Sequence, residues 1–383
     1  MTQTQACAAA PRIWTTTILF ALTFLGAITL VPWYGITFGF STAAWGWFAA
    51  FLMLTGLSIT AGYHRLWSHR CYDAHWSVRL LFMIFGSMAL QNSILIWSSG
   101  HRVHHRYVDD NDRDPYSAGR GFWFSHIGWM LREYPSGKVD FSNVRDLERD
   151  PIVMFQHRHY VPLVLVTNIG LPLAVGWMSG DVLGTFLLAG LARLVINHHA
   201  TFFINSLAHA WGTQPYTDAN SARDNPVLAF LTYGEGYHNF HHIYAHDYRN
   251  GVRWWQWDPT KWLIRGLAGL GLASRLKRVP DVTIQRARLT MQFKRLEQKL
   301  ERTHAAAPRL DLDRLRGQLR QEYATFLKLV EEWTAARDEW YAKARKRLAD
   351  RFGDSAFRRQ TRAVVRQLRS QHRRLRQLDA QLA

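Results

Sequence analysis

Long apolar runs separated by short polar turns dominate the first half of the chain. Residues 13–33 contain no charged side chain, and residues 43–61 form a second run of the same kind. Each run approaches the length of about 20 residues that a helix needs to cross a bilayer. The two runs therefore predict a helical hairpin, with its tip at residues 34–41.

A second pair of apolar runs, at residues 161–178 and 183–207, predicts another hairpin. Both tips lack Lys and Arg, whereas the polar segment 98–160 contains many arginines. Because segments rich in Lys and Arg tend to stay in the cytosol, both tips should face away from it. The pattern thus predicts a cytosolic helical cap at residues 62–160 and 208–280. Arg193 lies inside the last run, so we expect its side chain to face protein or water.

Nine of the 18 histidines fall in three short boxes and at one further position. On a helix, positions i, i+3 and i+4 share a face, so the histidines of the second and third boxes can each point to one place. A closed site for one zinc ion uses four ligands, so nine histidines fit two neighbouring ions better than one. Imidazole suits iron, zinc, copper and nickel alike, so the ligands do not select the metal. The nine are His64 and His69; His101, His104 and His105; His209; and His238, His241 and His242.

Residues 79–97 are apolar enough to resemble a further span. If they crossed the membrane, the first and second boxes would lie on opposite faces and could not share a site. We therefore predict a buried or interfacial helix here. The alternative, a true span between unrelated boxes, leaves six histidines without a role.

Four tryptophans follow the third box and alternate with basic residues. This pattern predicts a helix in the lipid headgroup layer, although an ordinary aromatic packing helix remains an alternative. The residues concerned are Trp254, Trp255, Trp257 and Trp262, with Arg253, Lys261 and Arg265.

The chain after residue 280 is polar and basic, and it carries much of the formal net charge of +18. Apolar residues at helical and heptad spacing predict three helical segments there, with breaks near Pro308 and Gly353. We expect a membrane domain at 1–280 and a soluble helical appendage at 281–383, either a bundle or a self-association module. The charge suits anionic lipid or an acidic protein, and no nucleic-acid-binding motif is present, so nucleic acid is not an expected partner.

The boxes resemble those of the membrane fatty acid desaturases, above all the stearoyl-CoA (delta-9) group. The likeness covers roughly residues 13–280 and includes the stretches Ile59-Thr60-Ala61-Gly62 and Gly121-Phe122-Trp123-Phe124-Ser125-His126. It implies a non-haem centre of two iron ions that uses O2 to convert a CH2–CH2 pair to a cis double bond. In this chain the nine histidines would be ligands, and Asn205, one helical turn before His209, would join through a water.

The likeness also implies a narrow apolar tunnel for the acyl chain, with Gln91, Trp97, Thr201 and Phe202 at its bend. Arg132 matches a basic position of the family, and Arg102, Arg106 and Arg120 are further candidates to meet phosphates. Animal members carry charged residues before the second box, whereas this chain has Ser98-Ser99-Gly100. The carrier is therefore open between CoA, lipid and acyl carrier protein, and acyl-CoA is our expectation.

Electrons are expected from a separate ferredoxin- or cytochrome b5-like protein with its reductase, because the chain has neither a His-Pro-Gly-Gly segment nor cysteines for an iron–sulfur cluster. The predicted fold is an all-α integral membrane protein: four transmembrane helices in two hairpins, a cytosolic helical cap holding two metal ions, and a C-terminal helical appendage. If the source is bacterial, the membrane is the cytoplasmic one. A membrane di-iron hydroxylase and a non-catalytic metal-binding membrane protein stay open as alternatives.

Overall fold

The computed structural model describes residues 10–306, 312–346 and 351–382. Regular structure in these ranges is almost entirely helical, and one two-stranded antiparallel sheet pairs β1 (Asp73–Ala74) with β2 (Ala273–Ser274). The chain divides into two compact units, one formed by Met1–Thr213 with Asn220–Arg278 and the other by Gln214–Ala219 with Val279–Ala383.

The α-helices of the first unit range from 4 to 24 residues in length. In chain order they are α1 (Trp14–Thr37), α2 (Thr42–Leu57), α3 (Trp76–Ser87), α4 (Ile94–Tyr107), α5 (Phe122–His126), α6 (Arg145–Glu148), α7 (Pro151–Arg158), α8 (Tyr160–Leu165), α9 (Leu171–Met178), α10 (Val182–Thr185), α11 (Arg193–Asn205), α12 (Leu207–Ala210), α13 (Pro226–Leu231), α14 (His238–Ile243) and α15 (Pro259–Gly269). Three π-helical segments lie at Ser58–Ser68, Val166–Gly170 and Phe186–Ala192, and short 3-10 turns at Ala118–Arg120, Gly128–Met130, Pro135–Gly137 and Phe141–Asn143.

Within the described residues, four continuous helices are long and apolar enough to cross a membrane, which confirms the predicted fold class. The first is α1, and the π-helical segments join the shorter α-helices into the other three. Their bounds are Trp14–Thr37, Thr42–Ser68, Tyr160–Met178 and Val182–Ala210.

Polar contacts tie the tips of the two hairpins together. Tyr34 Oη donates to Asp181 Oδ1 at 2.9 Å, and the backbone N–H of Ser41 donates to Asp181 Oδ2 at 3.3 Å. Trp47 Nε1 donates to Ser179 Oγ at 3.1 Å. Both tips therefore lie at the same end of the spans, as the predicted topology requires.

Residues 79–97 do not form one long helix. The helix α3 ends at Ser87, and α4 begins at Ile94, where Ser93 Oγ accepts the backbone N–H of Ile96 as an N-cap. Neither helix is long enough to span a bilayer, and Trp76 and Leu81 of α3 are exposed. The interpretation of this stretch as a non-spanning helix, with the first two boxes on one side, is correct.

Arg193 faces protein, as predicted for a charge within a span. It is fully buried, and its guanidinium donates to the carbonyl oxygens of Met88 at 2.7 Å and Ala189 at 3.2 Å and to Asn168 Oδ1 at 2.8 Å. These neutral acceptors replace the water that the charge would otherwise need.

The second unit contains three long helices, α16 (Asp281–Ala306), α17 (Leu312–Lys346) and α18 (Arg351–Gln381). Apolar residues that recur at helical and heptad spacing in this part of the sequence are buried in one hydrophobic core. Examples are Leu289 and Leu296 of α16 and Phe326 and Trp333 of α17. The appendage is thus a three-helix bundle. The break expected near Pro308 lies outside the described residues. The boundary expected near Gly353 agrees with the start of α18 at Arg351, two residues before it.

The tryptophan-rich stretch is only partly helical, which corrects the sequence-based expectation. Trp254, Trp255 and Trp257 lie in the loop before α15, and Trp262 lies in its first turns. Lys261 is buried and donates to the carbonyl oxygens of Gly251, Arg253 and Gln256, so it does not face headgroups. The alternating residues thus lie mainly in a loop. The helix α15 starts after this loop, with Asp258 as its N-cap accepting the backbone N–H of Lys261.

Candidate metal centre

The eight histidines of the three boxes and His209 converge at the ends of the spans opposite the hairpin tips. They form two groups, within each of which the nearest ring nitrogens all lie within 4.8 Å of one another. The five-histidine group contains His64, His69, His101, His105 and His241. The four-histidine group contains His104, His209, His238 and His242. Sequence reasoning selected these nine residues, and the fold brings all nine together.

Each of the second and third boxes supplies both groups. On an α-helix, residues i and i+4 differ in direction by about 40°, whereas the i+3 residue points about 60° to the other side of residue i. His101 and His105 accordingly share the five-histidine group, and His104 joins the other. In α14 the i, i+4 pair His238 and His242 belongs to the four-histidine group, and the i+3 residue His241 to the five-histidine group.

The first box is held by a π-helical turn. His64 and His69 are five residues apart, a spacing that would separate them by about 140° on an α-helix. Here the backbone N–H of His69 donates to the carbonyl oxygen of His64 at 3.0 Å, which is the i to i+5 bond of a π-helix. The two rings consequently lie side by side, with centroids 4.8 Å apart.

The spacing of the ring nitrogens fits a coordinated ion. In the five-histidine group, His64 Nε2 and His105 Nε2 lie 2.9 and 3.0 Å from His241 Nε2, and His69 Nε2 lies 2.8 Å from His101 Nε2. In the four-histidine group, His242 Nε2 lies 3.0 Å from His238 Nε2 and 3.4 Å from His104 Nε2. Nitrogens bonded to one ion at about 2.0–2.1 Å, at angles between octahedral and tetrahedral, are about 2.9–3.4 Å apart.

The outer ring nitrogens of several histidines have fixed acceptors. His104 Nδ1 lies 2.9 Å from both carboxylate oxygens of Asp114, and His101 Nδ1 lies 3.1 Å from Tyr116 Oη. His209 Nδ1 lies 2.7 Å from Ser221 Oγ, which in turn donates to Asp109. Such partners hold a proton on Nδ1 of His104 and leave its Nε2 lone pair for a metal. His209 Nε2 is buried and has no hydrogen-bond partner within the described chain, as expected of a ligand atom.

Burial favours the neutral form of six of the rings. Desolvation first, and the neighbouring imidazoles second, hold the pKa of these six histidines, which lie outside the spans, well below its ordinary value. A neutral imidazole has a free lone pair, so the donor set suits a transition metal without any further deprotonation. The histidines with lowered pKa are His69, His101, His105, His238, His241 and His242.

A buried network of ionic contacts and hydrogen bonds holds the first box against residues 235–258. Glu235 Oε2 lies 2.9 Å from His64 Nδ1, although poorly aligned for a hydrogen bond, and Glu235 Oε1 accepts from Arg65 Nη2 at 2.9 Å. Arg65 also donates to Asp258 Oδ2 at 3.2 Å, and Asn250 Nδ2 donates to Glu235 Oε2 at 2.6 Å. These contacts link the turn that carries the first box with the segment leading into the third.

The outer nitrogens of an all-imidazole site need acceptors, and five carboxylates near the boxes in sequence are candidates: Asp109, Asp112, Asp114, Glu235 and Asp247. Two of them contact histidines directly, and a third reaches one through a hydroxyl group. Asp114 and Glu235 lie against histidines, and Asp109 reaches His209 through Ser221. Asp112 is exposed, and Asp247 pairs with Arg249 at 2.7 Å. Sequence reasoning missed Tyr116 and Ser221 because a neutral hydroxyl near a ligand leaves no pattern in one sequence.

Loss of the Asp114 carboxylate should loosen the ion of the four-histidine group. We expect Asp114→Asn to weaken its affinity by about 10- to 100-fold, because the amide no longer holds His104 in one orientation as a full acceptor. Titration of the purified protein against a competing chelator measures this. Asp112→Asn is the matched control in the same loop, and equal affinities in the two variants would contradict the role of Asp114.

A cavity of about 750 Å³ reaches the centre from the side of the spans. It is lined by His64, His101, His104 and His238, so it touches members of both histidine groups. Apolar side chains including Leu19, Phe20, Ile59 and Ile96 form much of its wall. All five residues that the family likeness assigned to substrate also line it: Gln91, Trp97, Thr201, Phe202 and Arg132.

Contacts along the cavity give each of these residues a place. Gln91 Nε2 donates to Thr201 Oγ1 at 2.9 Å, which joins the loop before α4 to α11. Trp97 stacks on the His101 ring with centroids 4.7 Å apart, and Phe202 packs edge-on against Phe20. Asn205 lines the same cavity.

Basic residues near the cavity differ in their availability. Arg132 lines the cavity and donates to the carbonyl oxygen of Ala10 at 2.7 Å. Arg102 pairs with both oxygens of Asp146 and donates to backbone carbonyls of Trp67 and Asn143, so its donors are occupied and it does not suit a phosphate. Arg120 stacks over Phe124 and Tyr134.

The sequence model of the fatty acid desaturases matches residues 42–275, more than half of the chain. The chain belongs to the fatty acid desaturase family. Among the relatives of this chain, "Acyl-CoA desaturase 1" of Saccharomyces cerevisiae is 47% identical over 246 residues, which cover 64% of this chain and 48% of the yeast protein. "Stearoyl-CoA desaturase" of Homo sapiens is 39% identical over 280 residues, 71% of this chain and 76% of the human one. "Acyl-CoA Delta12-desaturase" of Acheta domesticus is also 39% identical over 280 residues, 70% of this chain and 76% of the cricket one.

The chain spans about half the length of the two yeast relatives, the second being "Probable acyl-CoA desaturase" of Schizosaccharomyces pombe at 46% identity. The matched family region ends before α16, so the three-helix bundle lies outside it. Relatives of equal identity carry different names in this metal-dependent family: the human protein is named for stearoyl-CoA, and the Acheta domesticus protein for the Delta12 position.

Proposed function

We propose that this protein is an acyl-CoA desaturase that introduces a cis double bond, at the delta-9 position, into a saturated fatty acyl chain. The observation that carries the proposal is the cavity, which has apolar walls and meets both histidine groups. Positioning decides which carbons of a uniform chain react, and a largely apolar cavity provides such positioning. The names of the relatives support acyl-CoA as the substrate.

The reaction requires a balanced supply of O2, electrons and protons. One CH2–CH2 pair and one O2, with two electrons and two protons, give one CH=CH pair and two water molecules. Two iron ions, held by the nine histidines with Asn205 joining through a water, would supply the O2 chemistry that unactivated C–H bonds demand. The electrons are assigned to a separate ferredoxin- or cytochrome b5-like protein with its reductase.

The protein's own residues bind and orient the substrate. Gln91 and Thr201, held together by their hydrogen bond, would form the bend of the acyl site together with Trp97 and Phe202. Arg132 would meet a phosphate of the carrier at the opposite end. We place the centre on the cytosolic face of the membrane, because both hairpin tips lack Lys and Arg. Residues 1–280 would form the desaturase domain and residues 281–383 the helical appendage.

The decisive experiment is expression in a host that lacks unsaturated fatty acids, followed by mass spectrometry of its lipids. A desaturase yields acyl chains that have lost two hydrogens, and the position of the double bond can be read from fragmentation. Acyl chains that gain one oxygen atom instead would identify a hydroxylase. Purified protein that binds metal but leaves every acyl chain unchanged, when given donor and O2, would favour a non-catalytic metal-binding protein.

Narrowing the cavity at Thr201 should obstruct the substrate while leaving the metal in place. We expect Thr201→Phe to lower kcat/KM for a long acyl chain by about 10²-fold, since small displacements of a bound substrate have effects of that size. Thr201→Ser keeps the hydroxyl that accepts from Gln91 and adds no bulk, so it should retain near-normal turnover. Metal content is measured alongside, and a Phe variant with unchanged kcat/KM would place the acyl chain elsewhere.

A further inference from the structure

An exposed apolar surface lies beside the segment that carries the third box. The helix α13 presents Val227, Phe230 and Leu231 outward, with Phe230 61% exposed. The Phe230 ring lies 5.0 Å from the Trp257 ring, and the surface continues to Trp254, which is 86% exposed, and to Trp255. Contiguous apolar side chains of this kind mark a binding surface for a partner or a membrane. We call these six residues the α13 surface.

The position of Tyr233 fixes the depth of α13 along the second span. Tyr233 follows α13 by two residues, and its hydroxyl donates to the carbonyl oxygen of Leu52 at 3.0 Å. Its ring lies over Gly56 so closely that a Cβ there would be 2.2 Å from Tyr233 Cε2. The chain leaving α13 is therefore packed directly against the middle of this span.

Depth follows from the rise of the helix. The span begins at Thr42, next to the polar contacts of the hairpin tips, so Leu52 lies about 15 Å and Gly56 about 21 Å further along the axis. The hydrocarbon layer is about 30 Å thick, which places both positions inside it. The outward side chains of α13 thus lie at the level of the acyl chains, in the leaflet nearer the histidines. The membrane-facing surface of the spans continues onto α13 without a break in depth.

The tryptophans fit the border of the same layer. Indole rings prefer the boundary between acyl chains and headgroups, and Arg253 lies over the Trp255 ring at 5.4 Å with its charge free to reach a phosphate.

We propose that the α13 surface is immersed in the leaflet on the side of the metal centre, with acyl chains against Val227, Phe230 and Leu231 and headgroups against Trp254 and Trp255. The segment between α13 and His238 is short, so lipid contact on α13 fixes the start of the third box. This placement needs only the four spans and does not depend on the reaction.

The test is depth-dependent quenching of a fluorescent label in the full-length protein, reconstituted in phosphatidylcholine and phosphatidylglycerol nanodiscs. Cys7→Ser removes one native thiol, and Cys71 is buried. Single labels are placed at Phe230→Cys, Trp254→Cys and, as the polar control in an exposed loop, Asn111→Cys. Val227→Cys is the substitute if the Phe230 variant does not fold, and metal stoichiometry reports folding in every case.

The proposal expects the label at position 230 to be quenched several-fold more by nitroxides on the acyl chain than by aqueous iodide. The label at 254 should respond most to headgroup nitroxides, and the label at 111 to iodide. Quenching of the 230 label by iodide to the same extent as the 111 label overturns the proposal. Protection of the 230 label from both quenchers, with crosslinking between two copies, also overturns it, because a second copy would then cover the surface. Neither result alters the desaturase proposal, which is tested by lipid products.

Discussion

Replacement of His241 by alanine is expected to abolish turnover and to lower bound metal from about two ions to about one per chain. His241 lies at the centre of the five-histidine group, with Nε2 2.9 Å from that of His64 and 3.0 Å from that of His105. Removing it opens one side of that group, whereas no nitrogen of the four-histidine group is lost. Metal analysis of the purified variant, together with its oxidation of acyl-CoA, measures both effects.

His246→Ala is the matched control for this prediction, because His246 follows His241 by five residues, is exposed and belongs to neither group. Its metal content and turnover should equal those of the unaltered protein. If His241→Ala retained both ions and full activity, the five-histidine group would not be a ligand set.

Removal of the buried Arg65 charge is expected to cause a large decrease in the free energy of unfolding. Arg65 is 1% exposed and pairs with two buried carboxylates, Glu235 and Asp258, while Tyr248 accepts another of its protons. Arg65→Met leaves both carboxylates buried without a cation, and breaking a buried pair in this way costs about 3–5 kcal/mol. Chemical denaturation in detergent should show the decrease in the free energy of unfolding.

Arg70→Met provides the comparison, since Arg70 is exposed and only 3.9 Å from Asp146, and exposed pairs contribute about 0–1 kcal/mol. Arg65→Lys keeps the charge but loses the bidentate geometry, so its free energy of unfolding should lie between those of the Arg65→Met and Arg70→Met proteins. Equal stability of the Arg65→Met and Arg70→Met proteins would show that the network does not hold the first box.

Sequence pattern was sufficient for the spans and for the identity of the nine histidines. Apolar runs of about 20 residues are typical of membrane-spanning helices, and the hairpin tips lie together as their composition indicated. That residues 79–97 do not span the membrane also followed from chemistry, because the boxes had to share a face, whereas the sequence pattern did not predict the helix break between Ser87 and Ile94. The ligand roles of these residues and of Asn205 remain predictions until metal is measured.

The arrangement of the ligands could not be derived from spacing alone. The second and third boxes each divide between the two groups, and which member goes where depends on how α4 and α14 are rotated against each other. The tryptophan stretch misled for a related reason. The regular alternation of tryptophans and basic residues predicted a helix. In the structure Lys261 instead donates to three carbonyl oxygens of a loop, and a loop has no periodic sequence pattern.

The π-helical turn of the first box makes this part of the chain sensitive to length more than to composition. With the helical geometry kept, deleting one residue between Ser58 and Tyr63 would rotate His64 and everything after it by about 100° around the axis relative to the preceding span. Conservative replacements of apolar residues there should be tolerated, whereas insertions and deletions should be purged. In a deletion scan, removal of any one residue just before His64 should abolish activity, whatever the residue.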